Sequence, residues 1–94
     1  MTRSRRDTNE TRLLTLAERL GAAFVKAPPL DGWLHFRGVW MPVEIKRPEV
    51  EGHVYEYTPA QRRFFGWCQV RGARWFVWRT EQDVLRDLGA RQTA

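Results

Sequence analysis

Asp31, Glu44 and Lys46 are the residues whose types and spacing suit metal-assisted chemistry. They lie in the stretch DGWLHFRGVWMPVEIK, residues 31–46. The stretch reads as two strands joined by a tight turn at Arg37-Gly38. That centring pairs Phe36 with Val39, Leu34 with Met41 and Asp31 with Glu44. Directly opposed residues of an antiparallel pair have Cβ atoms about 5 Å apart, and like charges there destabilise a sheet. Side chains alternate along a strand, so Lys46 points to the same face as Glu44. Two acids and a lysine form a costly patch unless a cation joins them. The expectation is a divalent metal held by Asp31 and Glu44, with Lys46 beside it. Carboxylate oxygens with open water positions suit magnesium or manganese. A one-residue slip of the turn would send Asp31 to the other face.

The elements around the patch follow from patterning. Leu34, Phe36, Val39, Met41, Val43 and Ile45 give the hairpin one apolar face, which must pack on a helix. Its other face carries Trp33, His35, Trp40 and Pro42 with the acids and Lys46; Trp33 and Trp40 are read as core. Upstream, Leu13, Leu16, Ala17 and Leu20 recur at helical spacing. Asp7 or Thr8 can cap this helix, Glu10 falls at the capping-box position after Asp7, and Gly21 stops it, so it should cover 8–20. Glu18 lies within it, either as an exposed charge or as a site residue. Ala23–Lys26 is a short strand, ended by Ala27-Pro28-Pro29.

Pro48 ends the second hairpin strand, because it has no N–H for the ladder. Residues 49–57 follow as a loop carrying His53, Tyr55 and Tyr57, expected to be mobile without ligand. Thr58-Pro59-Ala60-Gln61 starts a helix over 59–71: Thr58 caps, Pro59 takes the first position, and Gln61 can return a bond to the cap. Gln61 either only completes the cap or also faces the carboxylates. Phe64, Phe65, Trp67, Cys68 and Val70 are read as near the core. Residues 73–79 read as a fourth strand, and Thr80 with Asp83 starts a last helix over 81–88, with Val84 and Leu88 inward and Gly89 closing it.

Length and composition bound the rest. Ninety-four residues allow one small domain with a modest core. Of these, 1–7 reads as a flexible basic arm and 90–94 as a frayed tail. At 43% apolar with five Trp, the chain can fold. A single Cys excludes an internal disulfide framework, and no Cys/His cluster points to zinc. No apolar run approaches the roughly 18 residues that span a membrane, and no apolar segment follows the basic N-terminus as in a signal peptide. A cytoplasmic protein of a bacterial cell or a phage-infected host is expected. The net charge is +5, unevenly spread: residues 31–57 hold five acids against three bases, whereas the flanks are basic. An acidic patch within a basic protein suits a metal site that meets a polyanion. Only Lys26 and Lys46 among the sixteen basic residues are lysines, which sets Lys46 apart from a generic surface charge. Arg62, Arg63, Arg47, His53 and Lys26 are the candidate nucleic-acid contacts.

Asp31, then Glu44-Ile45-Lys46 on the next strand, then a helix opening with Gln61, resembles the PD-(D/E)xK nuclease superfamily. Within it the chain looks most like the small virus-type replication-repair nuclease domains. The resemblance covers about residues 10–88. It implies a restriction-endonuclease-like αβββαβα core, in which helices flank a mixed four-stranded sheet. It also implies roles: Asp31, Glu44 and the Ile45 carbonyl as ligands of Mg2+ or Mn2+, Lys46 as the group that positions or helps activate water, and Gln61 as a brace. Glu18 matches the first-helix acid that often approaches the metal. Pro usually stands directly before the Asp in this superfamily; here Leu30 intervenes after Pro29. The expected activity is metal-dependent hydrolysis of DNA phosphodiester bonds, on branched, flap or junction DNA. A homodimer is expected, because cutting two strands asks for two sites. The alternative is a non-catalytic nucleic-acid-binding module on the same fold.

Overall fold

The computed structural model of the chain describes residues 5–54 and 56–89. Residues 1–4 of the expected arm, Tyr55, and the expected tail over 90–94 lie outside the described residues. Helix α1 spans Arg5–Arg19 and so begins before the position expected for it. Arginine is a good helix former, and the backbone at Asp7 and Thr8 is helical where a cap was expected. Gly21, at φ 102°, turns the chain into β1, Ala23–Lys26.

Strands β2 (Gly32–Phe36) and β3 (Val39–Ile45) form the expected hairpin. Phe36 pairs with Val39, Leu34 with Met41, and Gly32 with Val43. Both turn residues have positive φ, 52° at Arg37 and 82° at Gly38. Such two-residue turns match the strand twist and fix the register. A 3₁₀ turn at Pro48–Val50 follows, then α2, Pro59–Arg71. The short β4, Phe76–Trp78, covers only part of the strand expected over 73–79. Helix α3, Glu81–Val84, widens into a π turn over Leu85–Gly89.

The result is a small α/β domain with a four-stranded mixed sheet and three helices. The sheet order is β1-β2-β3-β4, antiparallel except for the parallel β3–β4 pair. Helices α1 and α3 cover one face. There Leu13 and Ala17 of α1 meet Leu34, Val43, Ile45 and Trp78 of the sheet and Val84 and Leu88 from the last helix. Trp78 is fully buried, and its Nε1–H donates to Asp87 Oδ2 at 2.8 Å. Helix α2 lies on the opposite face. Its inward stripe is Gln61, Phe65 and Cys68, at i, i+4 and i+7; Gln61 and Cys68 are buried.

Several residues read as core are exposed instead. Trp67 and Val70 lie off the α2 stripe and are open to solvent. Trp33 and Trp40 are exposed on the hairpin, as is Val39 near its turn. The described helices cover the sheet near the carboxylates and leave the hairpin's far end bare. No helix among the described residues is long and apolar enough to cross a membrane.

Candidate active site

The site is built where β2 begins and β3 ends. Strand β3 is central, with β2 on one edge and β4 on the other, so Glu44 has neighbours on both sides; Val77 is its partner on β4. The Lys46 N–H turns toward β4 and donates to the Trp78 carbonyl at 3.0 Å. The preceding N–H, that of Ile45, therefore turns toward β2. The β2–β3 ladder stops at Gly32, and the Asp31 side chain takes over: Ile45 N–H donates to Asp31 Oδ2 at 2.6 Å. In return, Asp31 N–H donates to Glu44 Oε1 at 2.9 Å. The two carboxylates are thus fixed by each other's strand. Gly32 is needed beside them, because a Cβ there would collide with the Val25 carbonyl and the Phe24 ring.

Glu44 is fully buried. A buried carboxylate is tolerated only with hydrogen-bonded partners, and it has them. Gln61 Nε2–H donates to Glu44 Oε2 at 3.0 Å, and Lys46 Nζ lies 3.0 Å from the same oxygen. Gln61 both completes the helix cap and faces the carboxylate. Its backbone N–H donates to Thr58 Oγ1 and its Oε1 accepts from Thr58 N–H, each at 3.1 Å, while its Nε2 also donates to the Pro29 carbonyl. The helix cap thereby aims an amide at the carboxylate, and the Asp31 loop is tied to α2.

Lys46 is held from a second side. Its Nζ lies over the Tyr57 ring, 5.0 Å from the centroid, and Tyr57 packs edge-on against Phe65 of α2. Arg79, just after β4, donates to Tyr57 Oη at 3.2 Å and forms an ion pair with Glu56. The end of the 49–57 loop is therefore latched to the sheet. Burial works against the charge on Glu56, but Arg79, the Gly52 N–H and Lys46 outweigh it and hold the carboxyl below its ordinary value. Burial and the Glu56 charge push the Tyr57 hydroxyl up. Burial opposes the charge on Arg79, and its bonds to Glu56 and Tyr57 prevail and raise it.

A further anchor comes from α1. Asn9 Nδ2 donates to the Lys46 carbonyl at 3.1 Å and to the Arg79 carbonyl at 3.4 Å. One side chain thus clips together the ends of β3 and β4. Sequence reasoning missed Asn9, Glu56, Tyr57 and Arg79. Asparagine inside a helix was the available signal, since it is a poor helix former that competes for backbone bonds.

The structure brings Asp31, Glu44, Lys46 and Gln61 together. It does not bring Glu18 to them: Glu18 is exposed, about 13 Å along α1 from Asn9 at the usual helical rise. Among the described residues no three His, Cys, Asp or Glu side chains gather. Magnesium keeps several waters and takes one or two protein carboxylates in place of a full cage, so Asp31 and Glu44 are the residues that would hold Mg2+ or Mn2+. Arg62, Arg63, His53 and Lys26 are exposed and Arg47 is half-buried. Arg62 and Arg63 lie on the first turns of α2, next to Gln61. No family model matches the chain, and no curated protein and no solved structure is significantly similar to it.

Proposed function

We propose that this protein is a metal-dependent DNA endonuclease of the restriction-endonuclease-like, PD-(D/E)xK type. One observation carries the reading: a fully buried glutamate is held by a lysine, a glutamine amide and the backbone of a second carboxylate. Such an assembly on one strand end is a poor choice for stability alone, since buried ion pairs are matched by apolar packing. The element order α1-β1-β2-β3-α2-β4-α3 supports the same reading.

Asp31 and Glu44 would hold Mg2+ or Mn2+, with the Ile45 carbonyl joining them. A divalent cation held there would offset the phosphodiester charge, lower the pKa of bound water and stabilise the leaving oxygen. The chain's own residues do the rest. Glu44 and Tyr57 fix the Lys46 ammonium between a carboxylate and a ring face. From there Lys46 orients the attacking water and meets the charge that develops on the phosphate. Gln61 keeps Glu44 oriented, and Arg62 and Arg63 meet flanking phosphates. We further propose action on branched DNA and a homodimer, for which exposed Trp33 and Trp40 offer apolar surface on one hairpin face. Sedimentation at working concentration tests the dimer.

The test of the activity is a panel of labelled linear, flap and junction DNAs incubated with the protein and Mg2+ or Mn2+. Cutting that EDTA stops supports the reading. Binding without cutting under every metal condition would replace it with the non-catalytic module.

A further inference from the structure

Beside the carboxylates lies a shallow concavity of about 390 Å³, lined by Pro29, Ala60, Arg63, Phe64 and Trp67. Pro29 belongs to both places, since its carbonyl accepts from the Gln61 amide. The Phe64 and Trp67 rings lie 17° from parallel with centroids 6.2 Å apart. Near-parallel rings at that separation are laterally offset, so they form a stepped platform and not a closed sandwich. Trp67 is 50% exposed. The Arg71 guanidinium lies 4.5 Å from its ring centroid and steadies it. Arg62 and Arg63 are exposed on the same helix.

Aromatic rings interleaved with arginines are what an unpaired strand requires. Any base can stack on the rings, and the cations track the phosphates. We propose that this concavity binds an unpaired nucleobase of a DNA strand and sets it a short distance from the phosphate at Asp31 and Glu44. Placement beside the scissile phosphate rests on the nuclease reading; base binding itself does not. The site would select DNA that offers an unstacked base over continuous duplex.

The test uses EDTA throughout, so that nothing is cut, and a duplex bearing a short flap with 2-aminopurine as its first unpaired base. Wild-type protein should change the 2-aminopurine emission and bind the flap more tightly than the same duplex fully paired. Trp67→Ala should weaken flap binding about 5- to 150-fold while leaving duplex binding nearly unchanged. Trp67→Phe should restore most of it, and Phe64→Ala provides a second variant at the platform. Circular dichroism establishes that each variant is folded. Equal flap affinity of the wild type and both alanine variants, or equal losses on flap and duplex, would overturn the proposal. So would a wild-type dimer that Trp67→Ala converts to monomer without affecting flap binding, which would assign the face to a second copy. Because no cutting is measured, failure of the nuclease reading shows up separately, in the metal-dependent assay.

Discussion

Replacing Lys46 by methionine isolates the contact on which the site depends. Methionine keeps most of the aliphatic stem and removes the charge. In the native protein Nζ lies 3.0 Å from Glu44 Oε2, with the two side chains 12% and 0% exposed. Breaking a buried pair from one side costs about 3–5 kcal/mol, because the remaining charge is left uncompensated. Glu44 keeps the Asp31 N–H and the Gln61 amide, and the exposed part of the site admits water. The expected loss is therefore about 2–4 kcal/mol. A domain of this size has roughly 5–14 kcal/mol in all, so Tm should fall on the order of 10–30 °C. Urea unfolding followed by Trp fluorescence measures it. The same change in a Glu44→Gln background should cost less than about 1 kcal/mol, since coupling appears only when both charges are present. A cost below about 0.5 kcal/mol in the native background, or an equal cost in both, would refute a buried pair and the placement of Lys46 with it.

Two further outcomes follow from the same geometry. Glu56 has a folded-state pKa below its ordinary value, so its stabilisation is present above about pH 4.3 and is lost as pH falls through the folded value; Glu56→Gln should make the fall in urea midpoint between pH 7 and pH 3 shallower, and an unchanged slope would argue against the Arg79 latch. Cys68 is buried and its thiol is pushed up by burial, so an aromatic disulfide reagent at pH 8 should leave it unmodified until urea is added.

The hairpin is legible in the sequence because a two-residue turn leaves one register, and that register sets Asp31 opposite Glu44. The α2 start was legible because Thr58, Pro59 and Gln61 each have a distinct capping role. The inward face of α2 is legible only in part. Phe65 and Cys68 lie on the inward stripe as expected, whereas Trp67 and Val70 share their apolar character but lie off it, because the stripe begins with the polar Gln61, which hydrophobic periodicity does not count. Tyr57 and Arg79 escaped for another reason. Tyr57 meets Lys46 and Arg79 across separations of 11 and 22 residues, and no local pattern encodes a contact between a loop and a strand end. Glu18 follows the helix pattern but sits near the wrong end, because the N-terminal turns of α1, through Asn9, are the ones at the site.

The most direct test of the central claim is cleavage by Asp31→Ala. Asp31 is held to Ile45 and Glu44 by two backbone hydrogen bonds, of which only the Ile45 bond uses the carboxylate, so the variant should lose some stability and remain folded by circular dichroism at low temperature. With Mn2+ and whichever DNA the wild type cuts, single-turnover cleavage by the folded variant should fall to background. Cutting that persists in Asp31→Ala at a rate near the wild type's would contradict the assignment of Asp31 and Glu44 as the metal site.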